Sequence, residues 1–267
     1  MKREVATILE ATVLEPSEVA FQVAVAQLPG AKVREKLSIS IDGNKITPDV
    51  AATHTGSRLH LVQATVGKLV LHYEATISGQ FTATEVSATE GWEYRRPSRY
   101  IESDRFNDVA IELFGTISDH AELLAAVTRW VGGALVYVPG SSGPMDGASQ
   151  TMNYGAGVCR DYAHLVAAML RARGVAARVV AVYAPGCFPM DFHAVVEANV
   201  AGRWQVVDAT LMAPRQSFVR IATGRDAADT AFMSNNGGVV ILDTSIVTAV
   251  VDGELPRDDI TGLVQLR

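Results

Sequence analysis

Gly155-Ala156-Gly157-Val158-Cys159-Arg160-Asp161-Tyr162-Ala163-His164-Leu165 places a cysteine where a glycine-containing loop passes into a helical pattern. From Val158 onward, apolar residues recur at steps of three and four, which is the period of a helix that buries one face. Gly174 follows two arginines and marks the expected end of this helix. Cys159 is therefore predicted to lie in the first turn, where free backbone N–H groups and the helix dipole favour a thiolate. The same N–H groups can hold the oxyanion of an acyl-transfer intermediate.

A nucleophilic thiol needs a base and a group that orients the base. Two strand patterns downstream supply candidates. His193 lies near the start of Asp191–Ala198, and Asp208 lies near the end of Trp204–Thr210. Ala201-Gly202-Arg203 is a plausible hairpin turn between them. Adjacent antiparallel strands would bring the imidazole and the carboxylate side by side, so we predict a nucleophile, base and orienting acid in that chain order.

The order Cys, His, Asp, with the cysteine on a helix and the other two on neighbouring strands, resembles the transglutaminase-like core, a papain-like cysteine fold. The resemblance covers about 118–238. The matching pieces are Gly157-Val158-Cys159-Arg160-Asp161, Arg173-Gly174-Val175-Ala176-Ala177-Arg178-Val179-Val180, His193-Ala194 with the acid Glu197, and Trp204 with Asp208-Ala209-Thr210. The resemblance implies that Cys159, His193 and Asp208 are the catalytic residues.

Two positions depart from the family pattern. Many members have His-Ala-Trp where this chain has His193-Ala194-Val195, and Asp-Pro-Thr where it has Asp208-Ala209-Thr210. Neither change touches the three candidate catalytic residues. The missing tryptophan is expected to change how the imidazole is packed and screened from water.

Length and composition favour two domains. The 267 residues are enough for two domains with buried cores. We expect an antiparallel β-sandwich in residues 1–98 and the transglutaminase-like catalytic core in residues 99–267, which together make an α+β protein. The formal net charge is −6, and no basic stripe is interleaved with aromatic residues. Nucleic acid is therefore not an expected partner.

The apolar residues are not concentrated in one segment. No uncharged apolar run approaches the length of a membrane span, so no membrane association is expected. The opening Met1–Glu10 is charged where a signal peptide would be apolar, which favours a cytoplasmic location. Cys159 and Cys187 are the two cysteines, and without export they are expected to be free thiols.

Local patterns predict most of the secondary structure. The predicted N-terminal strands are Arg3–Val13, Ser17–Val25, Leu37–Ile41, Arg58–Ala64, Gly67–Ile77 and Phe81–Ala83. The predicted later elements are helices over Asp104–Phe114 and Asp119–Val131, and strands over Leu135–Val138, Ala177–Tyr183 and Gly238–Asp252. The remaining segments are interpreted as a linker over Arg95–Tyr100, a long loop over Pro139–Tyr154 and an ion-paired turn over Gly224–Asp229. The linker and the turn also resemble segments that flank the core in bacterial transglutaminase-like proteins.

Several further residues were weighed as functional candidates. Asp161 and His164 follow Cys159 at spacings that turn them away from it on the helix, so structural roles are expected. Asp191 is a rival orienting acid, and Cys187 is expected to be an inert thiol rather than a redox partner. The candidates for a second oxyanion donor are Gln150, Thr151 and Asn153, among which no motif selects. The histidines expected at the surface or in packing are His54, His60 and His72, because no metal-ligand spacing accompanies them.

These predictions define a thiol enzyme that needs no metal or other cofactor. Cys159 would attack a peptide, isopeptide or carboxamide carbonyl, His193 would move the proton, and Asp208 would hold the imidazole tautomer. Hydrolysis of the thioester is favoured over cross-linking, because water is always present. The substrate is expected to be a peptide, a protein or a small amide. Arylamine acetyltransferase-like acyl transfer and a catalytically idle binding module are the alternatives, and the oligomeric state is open.

Overall fold

The computed structural model describes residues 1–267, and its N-terminal part forms strands at five of the six predicted positions. The strands are β1 (Lys2–Val13), β2 (Ser17–Phe21), β3 (Lys32–Ile41), β4 (Asn44–Ile46), β5 (Asp49–Ala52), β6 (Arg58–Ala64) and β7 (Gly67–Ser78). Of these, the two short strands β4 and β5 were not predicted. The strand predicted over Phe81–Ala83 is wrong. That segment is irregular because Thr82 donates its backbone N–H to the Pro29 carbonyl, outside any ladder, while Phe81 is buried.

The rest of the chain alternates helices and strands. The elements are α1 (Ala88–Glu93), α2 (Asn107–Phe114), α3 (His120–Ala134), β8 (Val136–Tyr137), α4 (Ala148–Tyr154), β9 (Ala156–Gly157), α5 (Cys159–Ala172), β10 (Ala177–Tyr183), β11 (Phe192–Val200), β12 (Arg203–Val207), β13 (Val219–Gly224), α6 (Ala227–Thr230), β14 (Met233–Asn236) and β15 (Val240–Val251). None of the helices combines the length and the apolar character needed to cross a lipid bilayer.

Three helices lie where none was predicted, namely α1, α4 and the four-residue α6. α1 begins at a capping box, in which the Ser87 hydroxyl accepts the Glu90 N–H at 3.2 Å and the Glu90 carboxylate accepts the Ser87 N–H at 3.0 Å. α4 occupies the second half of the long loop expected over Pro139–Tyr154, and it ends at Gly155, whose φ of +63° suits glycine. The predicted start of α3 is confirmed, since Asp119 accepts the Glu122 N–H at 2.9 Å.

Two antiparallel sheets form the β-sandwich, one in the order β15-β1-β7-β3-β4 and the other in the order β14-β2-β6-β5. Their inner faces bury one apolar cluster, which includes Leu9 and Leu71 from the first sheet and Phe21 and Val62 from the second. The last two strands of the chain pair with the first two. The N-terminal strands of the sandwich end at Ser78, and the sandwich also takes in β14 and β15, from residue 233 onward.

The remaining large sheet, in the order β12-β11-β10-β13, carries the core. β10 is central and buried along its whole length, as its position in the sequence predicted. α5 packs on β10 and β11, and α3 packs on α5. Tyr183 and Ile221 from this sheet belong to the same apolar cluster as the sandwich interior. The two units therefore share a continuous core.

The segment 95–100, interpreted as a linker, is fastened to the core. Arg171 of α5 donates to the Arg96 carbonyl and to the Ser98 hydroxyl, both at 3.1 Å. Tyr100 donates its N–H to Asp226 at 3.0 Å. The same aspartate caps α6 by accepting the Ala228 N–H at 3.0 Å. These bonds join the two family-like segments that flank the core.

Candidate active site

Cys159 is the first residue of α5, and Val158 is its N-cap. Asp161 holds this helix start, because its Oδ2 accepts the Val158 N–H at 2.8 Å and also accepts the Ser142 hydroxyl from the preceding loop. The role predicted for Asp161, a buried hydrogen bond to nearby backbone and arginine, is confirmed, since Arg160 also donates to it at 2.9 Å. Gly157 is required here because a Cβ would lie 2.5 Å from the Asp161 Cβ. The thiol is half-buried and reachable from solvent.

His193 and Asp208 meet as the predicted hairpin would place them. β11 and β12 pair antiparallel with Val196 opposite Val207. The His193 Nε2 lies 2.8 Å from the Asp208 Oδ2, and both side chains are buried. Because Nε2 is engaged by the carboxylate, Nδ1 is the nitrogen left for a second partner.

Cys159 lies beside His193, since its side chain is among the groups that raise the pKa of the imidazole. The thiol also contacts the Phe192 carbonyl at 3.8 Å. Burial alone would lower the pKa of His193, but the Asp208 carboxylate and the contact with Cys159 outweigh it, and the pKa is raised well above its usual value. Burial would raise the pKa of Asp208, but His193 and Thr210 lower it. The site therefore favours an imidazolium beside a carboxylate.

Thr210 fixes the orientation of the Asp208 carboxylate. Its hydroxyl donates to Asp208 Oδ1 at 2.7 Å, and its backbone N–H donates to the same oxygen at 2.9 Å. One carboxylate oxygen is therefore held by Thr210 and the other faces His193. The Asp-x-Thr spacing was part of the sequence resemblance, but no pattern in the sequence assigned this role to the threonine.

Phe218 packs against the imidazole. The ring centroids of His193 and Phe218 are 5.7 Å apart at an interplanar angle of 66°, which is an edge-to-face contact. Phe218 is buried just before β13. It screens His193 in a chain where Val195 stands in place of the usual tryptophan. Sequence reasoning missed this residue, because it lies 25 positions from the histidine with no spacing to signal the contact.

Tyr137 reaches Cys159 from β8. β8 and β9 pair in parallel with Tyr137 opposite Gly157, two residues before Cys159. Its ring packs against Tyr162 with centroids 6.0 Å apart, and its hydroxyl lies beside the Cys159 backbone N–H. Burial, and next the Cys159 side chain, raise the pKa of Tyr137, so its hydroxyl keeps its proton at neutral pH. The sequence predicted this strand but gave no reason to single out the tyrosine.

The rival acid and the second thiol lie apart from the central contacts. Asp191 is exposed, and its Oδ1 accepts the Phe192 N–H at 2.7 Å rather than the imidazole. Cys187 is buried against the Pro189 carbonyl at 3.5 Å, and burial raises the pKa of its thiol. His164 is fully buried, stacks on Tyr100 and accepts the Ala227 N–H at 3.2 Å, so the predicted turn away from Cys159 is confirmed.

The candidates for a second oxyanion donor lie on α4. Thr151 is buried and donates to the Gly147 carbonyl at 3.1 Å, and Gln150 accepts the Gly147 N–H at 3.2 Å. Asn153 is exposed. The Thr151 hydroxyl and the Gln150 side-chain oxygen are therefore already hydrogen-bonded at the start of α4. Of the three histidines expected at the surface or in packing, His54 and His72 are exposed and His60 is buried, and they lie on different elements.

The mixed α and β core, its antiparallel sheet and the cysteine at a helix start define a papain-like fold of cysteine-dependent enzymes. Residues 107–209 match the family model described as the transglutaminase-like superfamily. This span contains all three predicted site residues. That part of the chain is therefore a transglutaminase-like core domain.

Three known proteins are similar to this chain. A crystal structure of a candidate cysteine protease from Cytophaga hutchinsonii matches 99% of this chain and 96% of its own chain, with a TM-score of 0.88 and 29% identity. An uncharacterised protein of Mycobacterium leprae is 27% identical over 116 residues, which span 40% of this chain and 42% of the relative's length. The periplasmic domain of TgpA from Pseudomonas aeruginosa aligns over 76% of this chain and 87% of its own at 18% identity and a TM-score of 0.42.

Proposed function

We propose that the protein is a cysteine hydrolase that cleaves a peptide, isopeptide or carboxamide bond through a thioester on Cys159. The observation that carries the proposal is the buried pair of His193 and Asp208, in which the imidazole lies 2.8 Å from the carboxylate, with Cys159 at the start of the helix that packs on β11. A thiol at a helix start, an adjacent imidazole and an orienting acid are the parts that thiol acyl transfer requires. The similarity to a candidate cysteine protease over nearly the whole chain supports the same class of reaction.

The proposed first step forms the thioester. The Cys159 thiolate attacks the carbonyl carbon, and the carbonyl oxygen takes the negative charge. When the tetrahedral intermediate collapses, the C–N bond breaks and the His193 imidazolium gives its Nδ1 proton to the leaving amine. Asp208 accepts the Nε2 N–H throughout, which keeps Nδ1 directed at the reacting atoms.

The second step hydrolyses the thioester and regenerates the free enzyme. The neutral His193 takes a proton from water, the resulting hydroxide attacks the thioester, and Cys159 leaves as the thiolate with the carboxylic acid released. An amine in place of water would give transamidation by the same sequence. Water is the acceptor we favour, because the half-buried thiol is open to solvent.

Tyr137 is proposed as the second oxyanion donor. The Cys159 N–H at the helix start is the first, and the protonated Tyr137 hydroxyl lies beside it. Loss of one oxyanion donor costs about 10²-fold to 10³-fold in kcat. Tyr137→Phe should therefore lower kcat by about 100-fold with little change in KM and with unchanged alkylation of Cys159. A Tyr137→Phe enzyme with normal kcat would return the assignment to Gln150 or Asn153.

Intact-mass detection of an acyl-enzyme tests the reaction class. Wild type and Cys159→Ala are incubated with a peptide and amide library, and then with acyl-CoA donors. Acylation of wild type by peptides or amides, absent from Cys159→Ala and discharged by water, is the expected result. Acylation by acyl-CoA alone would favour arylamine acetyltransferase-like transfer. No adduct with any donor, together with an unreactive Cys159, would favour a binding module.

Iodoacetamide labelling tests the nucleophile separately. Cys159 should react faster than Cys187 between pH 5 and 8, because Cys159 is reachable and beside an imidazole while Cys187 is buried with a raised pKa. Peptide mapping after partial labelling gives the two rates. Preferential labelling of Cys187 in folded protein would remove the support for Cys159.

A further inference from the structure

One edge of the five-stranded sheet is long and unpaired. β15 runs for 12 residues and pairs with β1 along one side. Its other side makes no backbone hydrogen bond within residues 1–267, and the flanking residues Val239 and Asp252 bond only toward the β1 side of the strand, to Leu14, Glu15 and Lys2. Antiparallel geometry leaves about six N–H and six C=O groups of such a strand pointing outward.

From Thr244 onward, this edge lacks the features that usually protect an edge from pairing, because the irregular register of the β1–β15 ladder and the charge of Asp243 both lie before that residue. Charged residues, proline, short length or a covering segment block such edges in monomeric proteins. The segment 244–251 contains no charge and no proline. Ile246 and Val250 lie on its outer face with 50% and 46% of their surface exposed. By contrast, β5 at the edge of the other sheet is only four residues long and begins at Asp49.

We propose that β15 is a dimer interface, which pairs antiparallel with β15 of a second copy about a twofold axis and joins two five-stranded sheets into one of ten strands. The strand is complementary to itself. An axis at Ile246, Val247 or Thr248 pairs no charged residue with another, because Asp243 and Asp252 then face uncharged positions. Asp243 accepts the Thr12 hydroxyl at 2.7 Å, and the neighbouring charges on β1, Glu4 and Glu10, are already paired with Lys2 and Lys68.

The size of the edge sets the expected affinity. Twelve residues at about 3.4 Å each give a strip about 40 Å long. With the outer side chains included, pairing buries on the order of 1,000 Å² in total, near the lower limit of specific interfaces. A monomer–dimer equilibrium in the micromolar range is therefore expected, rather than an obligate dimer.

Sedimentation equilibrium of the full chain from 1 to 200 µM tests the proposal. Wild type should dimerise, and Ile246→Lys should raise the dissociation constant at least tenfold, because it places two like charges near the axis. Val50→Lys, at an exposed position on the edge strand β5, is the matched control and should leave the dissociation constant unchanged. Circular dichroism confirms folding, and Val250→Lys replaces Ile246→Lys should the latter fail to fold.

Two outcomes would overturn the proposal. Wild type that stays monomeric to 200 µM would mean that the edge is open or serves an extended segment of another protein. A dimer that survives both Ile246→Lys and Val250→Lys would mean that the copies meet through another surface. Neither outcome bears on the thiol chemistry.

Discussion

At the scale of single residues, the hydrogen bond between His193 and Asp208 distinguishes a working site from a fold that only keeps the residue types. Asp208 holds His193 Nε2 at 2.8 Å, while Asp191 is bonded to backbone. Asp208→Asn should keep the fold and lower turnover by orders of magnitude, because the wrong tautomer is favoured. His193→Ala should lower turnover further and shift the pH profile of Cys159 alkylation. Asp191→Asn is the matched control, and a larger loss from Asp191→Asn than from Asp208→Asn would reject the assignment.

Thr210 gives a second prediction, as a positioning residue. Thr210→Val removes the hydroxyl that donates to Asp208 Oδ1 at 2.7 Å but keeps the backbone donor at 2.9 Å. A hydrogen bond to a charged group contributes about 1.5 to 3 kcal/mol, so kcat should fall at least tenfold. Thr210→Ser keeps a hydroxyl and should restore most of the activity. Normal activity in Thr210→Val would contradict the prediction, because that variant keeps the methyl group and lacks only the hydroxyl.

These residues differ in how visible they were from the sequence. The helical period placed Cys159 at a helix start, and two alternating runs with a turn between them placed His193 near Asp208. Each of those signals is local. Phe218 and Tyr137 reach the site through tertiary packing, and a contact between distant segments leaves no periodic trace in the chain. The residues that tune the site were therefore hidden, while the predicted reacting groups were not.

At the scale of elements, the core strands are joined by a buried ion network that no pattern predicted. Glu197 on β11 lies between Arg178 on β10 and Arg220 on β13, with N–O distances of 2.6 to 2.9 Å. Burial would raise the pKa of Glu197, but the two guanidinium groups lower it to about 2. Arg178 also stacks over the Trp204 ring at 4.0 Å and bonds Glu90 at 2.7 Å. Three strands therefore meet at one carboxylate, and Arg178 extends the network to β12 and α1.

Removal of the charge on Glu197 should lower the free energy of unfolding. Glu197→Gln leaves two buried guanidinium groups without their main counter-ion, and the loss of one partner from a buried pair costs about 3 to 5 kcal/mol of unfolding free energy. Glu90→Gln is the control, because Arg178 keeps Glu197 as a partner, and its cost should be below about 1 kcal/mol. Urea unfolding of both variants at pH 7 measures the difference. Equal costs would mean that the network is not centred on Glu197.

Two short helices, α1 and α4, were not predicted from the local sequence pattern. Ser87 and Glu90 have the spacing of a capping box, yet the surrounding strands led to α1 being missed. α4 was hidden in a region rich in glycine and serine. In both places a short helix is held by its caps and by tertiary contact rather than by a long apolar stripe, which is the feature that sequence periodicity detects.

At the scale of the whole molecule, His164 makes stability depend on pH. Burial lowers its pKa to about 4, against a usual value near 6.5, with partial compensation from Asp226. The unfolded chain therefore takes up this proton more readily, so stability is complete above about pH 6.5 and falls as the pH drops toward 4. The full loss is about 3 kcal/mol, on the scale of 1.36 kcal/mol per pKa unit.

His164→Gln isolates this contribution, because glutamine can accept the Ala227 N–H without titrating. Urea unfolding at pH 7.5, 5.5 and 4.0 should show a smaller acid loss for His164→Gln than for wild type. His72→Gln, at an exposed position on β7, should behave as wild type does. His193 titrates in all three proteins and cancels in the comparison. Parallel acid profiles for wild type and His164→Gln would contradict the prediction.

The return of the chain to the sandwich affects the order in which the protein can be made. β1 needs β15 as its outer neighbour, and β2 needs β14, but these partners lie more than 210 residues later in the chain. The core sheet is complete at Gly224, so a ribosome has delivered every strand of the core before it delivers the last two strands of the sandwich. During synthesis, the first strand must wait with an open edge until the last strand arrives. A chain that ends near residue 230 would therefore hold every strand of the core sheet beside an unfinished and adhesive sandwich sheet.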